Sequence, residues 1–175
     1  RRLKGEWARV PGGPAPRPPG LKLQRAVWAA YAALVLGVLG PIHPGGQVWA
    51  GGTNDVVNYL GNLVWQAGEA AGGAPVSRHT TMLLFPDGGA IWPPDLLGGT
   101  LILPVVWLAG PLWAFNLLVL ADLVFACWAM FWLARRLCGG DPWVALFCGA
   151  VYGLAPVTLG HVNNGIVEQL AAGWL

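Results

Sequence analysis

Between Leu96 and Ala134 the chain carries a single charged residue, Asp122. A bilayer crossing takes about 20 apolar residues, so this run holds more helix than one crossing needs and less than two comfortable ones. Further apolar runs lie on either side, Ala26 to Ile42 and Trp143 to Leu159. Hydrophobic residues make up 55% of the chain and charged residues 10%, against roughly 25% charged in soluble domains. Lipid is therefore the expected solvent for most of the chain, and the expected fold is an all-α membrane protein with about three transmembrane helices. The 175 residues leave room for few crossings.

The charges give a direction. Seven of the ten basic residues, Arg1, Arg2, Lys4, Arg9, Arg17, Lys22 and Arg25, precede or open the first apolar run. Short basic flanks stay on the cytoplasmic side. The expectation is an integral protein of a bacterial inner or plasma membrane, with a cytoplasmic N-terminus and its long loop external. Residues 1–22 hold Pro11, Pro14, Pro16, Pro18 and Pro19 and read as a disordered basic tail drawn to anionic lipid, with no nucleic acid partner. The first residue is Arg, and the last two, Trp174 and Leu175, fall inside an apolar pattern; the chain reads as part of something longer, whose remaining helices would be partners of these.

The first crossing is expected over 23–42, broken by Gly40, Pro41, Pro44, Gly45 and Gly46. A polar, Gly- and Pro-rich loop follows over 43–95. If 96–110 crossed, Arg135 and Arg136 would end outside, against the positive-inside tendency. Gly98, Gly99 and Pro104 also weaken that segment as a span. It is read as an interfacial helix, with crossings at 111–134 and 143–160 joined by a tight turn near Cys138 to Pro142. Within the loop, Val56, Val57, Leu60, Leu63, Val64 and Ala67 recur at helical spacing, opposite Asp55, Asn58, Asn62, Gln66 and Glu69. This predicts an external amphipathic helix over 54–70, capped by Thr53 or Asn54, with its apolar face on the outer leaflet. A weaker pattern through Ile166, Val167, Leu170, Ala171 and Trp174 predicts another at the C-terminus.

Cys127, Cys138 and Cys148 are odd in number and lack metal-ligand spacing, as do His43, His79 and His161, so neither a disulfide framework nor a histidine metal site is expected. Most of the eleven tryptophans fall near predicted helix ends and read as interfacial anchors, although Trp65 or Trp92 could line an acceptor groove.

The order of several short motifs resembles the N-terminal part of the GT-C superfamily of membrane-embedded glycosyltransferases. A first transmembrane helix is followed by Gly52-Thr53-Asn54-Asp55 and an amphipathic juxtamembrane helix, then by Leu84-Phe85-Pro86-Asp87-Gly88. Gly110-Pro111-Leu112-Trp113-Ala114-Phe115-Asn116 opens the next helix, Leu133-Ala134-Arg135-Arg136-Leu137 closes it, and Ala155-Pro156 with Gly160-His161 ends the third. The resemblance covers about Ala26 to Leu175. It implies sugar transfer, hexosyl or pentosyl, from a polyprenyl-phosphate donor on the external face.

The same resemblance implies that Asp55 is the acidic residue of the first external loop, acting as a base on the acceptor or holding a divalent metal ion such as Mg or Mn. Glu168 would be the second acidic residue, sharing that metal, although the family's paired acidic motif is here a single carboxylate. Arg78, His161 and Asn164 are candidate donor contacts, because a transferred sugar leaves a phosphate that needs neutralising and hydroxyls that need hydrogen bonds. Two other classes remain open. A transporter or flippase subunit would use Asp122 and Asn116 as a polar path, since a carboxylate near mid-span costs about 2.5 to 3.5 kcal/mol and must face protein. A small structural membrane protein would use none of these residues.

Overall fold

The computed structural model describes residues 20–40, 48–49, 54–73, 79–80, 86–90, 95–138 and 140–166. The tail before Gly20, His43, Thr53, Arg78, Trp92 and everything after Ile166, including Glu168 and the proposed C-terminal helix, lie outside the described residues. Among the described residues six helices follow in order: α1 (Leu21–Leu39), α2 (Asn54–Ala71), α3 (Leu96–Ala109), α4 (Pro111–Leu137), α5 (Pro142–Gly153) and α6 (Pro156–Asn164). In the loop between α2 and α3, two short strands, β1 (His79–Thr80) and β2 (Gly89–Ala90), pair antiparallel with His79 opposite Ala90. Residue periodicity holds no sign of this pairing.

Among the described residues three stretches are long and apolar enough to cross a bilayer: α1, α4, and α5 with α6 taken together. The chain is thus a mostly helical integral membrane protein. α3 has 14 residues, about 21 Å of helix, short of the ~30 Å hydrocarbon thickness. Sequence punctuation sets the boundaries. Gly40 and Gly110 leave their helices at positive φ, Pro111, Pro142 and Pro156 stand in first turns, where proline's missing N–H costs nothing, and the Asp141 carboxylate accepts from the Trp143 and Val144 N–H groups at 2.8 and 3.3 Å.

The third span departs from the continuous helix expected over 143–160. It breaks at Leu154 and Ala155, and the chain restarts at Pro156. Proline has no N–H to give and its ring clashes with the carbonyl four residues earlier, here Tyr152. Gly165, in the left-handed conformation, then ends α6. Its N–H reaches the Val162 carbonyl and the Ile166 N–H reaches the His161 carbonyl, both at 3.0 Å, the bonding of a Schellman motif.

Helix α4 is the centre of the bundle and packs against α1, α2, α3 and α5. Its partner α5 approaches closely through Gly149 and Gly153. A Cβ on Gly149 would lie 2.5 Å from the Cys127 carbonyl oxygen, and one on Gly153 would lie 3.1 Å from the Cys127 nitrogen. Small residues four apart let membrane helices touch backbone to backbone. Tyr31 of α1 closes the same junction, donating its hydroxyl to the Leu146 carbonyl at 3.1 Å and meeting the Phe131 ring edge-on.

The contacts fix the helix directions. Trp28 stacks near Trp128 with centroids 5.4 Å apart, while the Trp49 N–H, beyond the end of α1, reaches Asn116 Oδ1 at 3.0 Å. α1 and α4 are therefore antiparallel, and the turn after Leu137 sends α5 back. Lys22 and Arg25 thus share one end of the bundle with Arg135 and Arg136. The end of α1, the start of α4 and the end of α6 share the other, so α3 begins and ends without carrying the chain across.

Candidate functional site

Helix α2 lies at the end opposite the basic residues, and its packing decides what Asp55 can face. The expected outer-leaflet face is instead divided. Val56, Tyr59, Leu63 and Ala67 are buried in the shared core, with α2 packed on α3 and α4. Val57, at 68% exposure, and Val64 form a second apolar facet that faces outward. Gln66, placed by periodicity on the polar face, is 1% exposed; it lies over Gly99, whose missing side chain makes room for the amide. The reason is geometric. The apolar arc of α2 is wider than the strip that α3 and α4 cover, and the strip is displaced toward Gln66. Asn58 stays exposed as expected.

Asp55 stands exposed in the first turn of α2. The next residue, Val56, meets the end of α6. A Cβ on Gly165 would lie 2.9 Å from the Val56 nitrogen, so only glycine lets the two backbones approach this closely. Asn164, also exposed, immediately precedes Gly165, and half-buried His161 lies one turn before it. Three of the five residues singled out in the sequence, Asp55, His161 and Asn164, therefore belong to one helix-end junction. The other two, Glu168 and Arg78, fall outside the described residues.

Periodicity missed two residues beside this junction. Tyr59, one turn after Asp55, donates to Asp95 Oδ2 at 3.4 Å and meets the Phe115 ring edge-on at 5.6 Å. Asp95 caps α3, accepting from the Gly98 N–H at 2.8 Å. An Asp at the start of an apolar run with small residues behind it is a readable cap, so Asp95 could have been found. The pairing with Tyr59 could not.

Asp122 is 1% exposed and faces protein, as its mid-span position demands, and Asn116 beside the same core is likewise buried. A groove of about 750 Å³ runs along the outward facet of α2 from Val57 to Glu69, with Trp65 in its wall. Asp55 and Val57 are two residues apart on a helix and so project to nearly opposite sides, which leaves the carboxylate out of this groove.

Among the described residues, no group of three or more His, Cys, Asp or Glu side chains is placed to hold a metal ion. Glu168, the second ligand that the family resemblance implies, lies outside the described residues. Comparison of the chain with known protein families, with curated proteins and with solved structures finds no match.

Proposed function

We propose that the chain is the N-terminal part of an integral-membrane glycosyltransferase that moves a sugar from a polyprenyl-phosphate donor to an acceptor at the end of the bundle bearing Asp55, with the basic end in the cytoplasm. The observation that carries the reading is the junction of α2 with α6, where the Val56 backbone meets Gly165 and Asp55, His161 and Asn164 are assembled from two distant parts of the chain. In the reaction, Asp55 takes the proton of the acceptor hydroxyl as its oxygen bonds to the sugar C1. The C1–O bond to phosphate breaks, and the polyprenyl phosphate leaves with the electron pair. His161 hydrogen-bonds a phosphate oxygen and Asn164 a sugar hydroxyl.

The test is Asp55→Asn in the intact protein, assayed for sugar transfer from a polyprenyl-phosphate donor. The expected outcome is a loss of about 100-fold or more, the scale of general base catalysis, with membrane insertion unchanged. Transfer at the original rate removes Asp55 from the chemistry.

One observation favours a second reading. The buried mid-span Asp122 is the residue a transporter or flippase subunit would need, since intramembrane carboxylates line proton and substrate paths. Substrate movement that depends on Asp122 and tolerates Asp55→Asn selects that reading.

A further inference from the structure

At the opposite end of the bundle, α4 bears a groove of about 400 Å³ lined by Trp128, Ala129, Trp132, Leu133 and Arg136. Its indoles belong to a ladder in which Trp128 stands 5.4 Å from Trp28 of α1 and 6.1 Å from Trp132. The ladder runs toward the basic end. Arg136 is one turn beyond Trp132 on the same face of α4 and lies exposed. Arg25, also exposed, is one turn before Trp28 on the neighbouring, antiparallel α1.

The polar chemistry of this region is one-sided. The indole Nε1 atoms of Trp128 and Trp132, and Nε and Nη1 of Arg135, are shielded from water without a hydrogen-bond partner. The Arg135 guanidinium lies over the Phe131 ring at 5.9 Å, a contact that offers a π face and no lone pair. All four atoms are donors. A buried donor left unsatisfied is costly, so a ligand rich in acceptors gains by entering the groove and drawing the indoles toward it.

We infer that this groove is a binding site for an anionic phospholipid, with an acyl chain against Trp128, Trp132 and Leu133 and the phosphate at Arg136 and Arg25. Phosphodiester and ester oxygens are acceptors only, which matches the unpaired indole donors of Trp128 and Trp132, and a negative headgroup matches the Arg136 guanidinium in the wall. A zwitterionic lipid matches the apolar wall and not the charge. The chain's own residues 1–19 are a poor occupant, since they carry Arg1, Arg2, Lys4, Arg9 and Arg17 against Glu6 alone. The inference does not depend on the transferase reading, since it concerns the other end of the bundle.

The experiment is native mass spectrometry of the intact protein released from detergent with equal amounts of phosphatidylglycerol and phosphatidylcholine. The expected result is preferential retention of phosphatidylglycerol, reduced about 5-fold by Arg136→Gln, the scale of one surface cation on anionic lipid, and unchanged by Arg9→Gln in the tail. A second measurement guards against loss of fold in a variant. Phosphatidylglycerol brominated on its acyl chains is expected to quench the tryptophan emission more than brominated phosphatidylcholine, and Trp128→Phe with Trp132→Phe is expected to remove the difference. Equal retention of the two lipids, or a preference that survives Arg136→Gln and disappears when the tail arginines are neutralised, overturns the groove as the site. Quenching that ignores the headgroup does the same.

Discussion

The Tyr59 hydroxyl of α2 lies 3.4 Å from one oxygen of the Asp95 carboxylate, whose other oxygen accepts the Gly98 N–H at 2.8 Å. One side chain therefore caps α3 and ties it to α2. Asp95→Ala is expected to lower stability by about 1 kcal/mol, the usual loss of an N-cap, and Tyr59→Phe by less. In the Asp95→Ala background, Tyr59→Phe should cost less than it does in the parent. A double-mutant cycle by reversible denaturation in detergent measures the coupling, and a cycle that closes at zero removes the link between the helices.

Glycines in two spans should respond oppositely to the same change. Gly149→Ala drives a methyl group to 2.5 Å from the Cys127 carbonyl oxygen and is expected to cost about 1–3 kcal/mol through forced separation of α4 and α5. Gly37→Ala in α1 meets nothing within 4 Å and should be neutral or gain up to about 1 kcal/mol from helix propensity. Thermal unfolding of the two variants side by side checks the contrast.

Gln66 is buried with its Oε1 atom unpaired. Gln66→Leu removes an orphan acceptor while keeping most of the volume over Gly99, so stability is expected to hold or rise by about 1 kcal/mol. Gly99→Ala should instead destabilise, because its Cβ would fall 2.6 Å from that oxygen. A Gln66→Leu variant that melts earlier than its parent would show that the amide serves a purpose the packing does not reveal.

The directions of the spans predict a labelling pattern. Asn58→Cys and Asn163→Cys, each with Cys138→Ser, should react with a membrane-impermeant maleimide from one side of the bilayer. The native Cys138, exposed in the turn after α4, should react only from the other. Labelling of Cys138 and Asn58→Cys from the same side contradicts a single crossing, by α4, between α2 and Cys138.

The spans themselves were legible because their signals are local. Glycines and prolines at Gly40, Gly110 with Pro111, and Asp141 with Pro142 end one segment or open the next, and the observed helices start or stop within about three residues of the expected bounds at those points. Helical periodicity likewise found α2. It could say which residues of α2 are apolar, and it could not say which of them another helix covers, so Gln66 went to the wrong face and Tyr59 was passed over. The break before Pro156 was visible as a residue and hidden by the apolarity around it. Gly149 and Gly153 read as unremarkable until Cys127, more than twenty residues earlier, is placed against them. At the candidate site the chemistry-bearing residue types could be picked out, but their assembly through Val56 and Gly165 joins positions over a hundred residues apart, which no local pattern encodes.

The knot at Tyr31 has a mechanical meaning. By joining α1 to α5 through the Leu146 carbonyl, beside the tight crossing of Gly149 on α4, it clamps the middle of α1 to the basic halves of the other two spans. The third span is interrupted above that clamp, at Ala155. The end of α6, with Gly165 against Val56, therefore lies beyond the joint and outside the clamp.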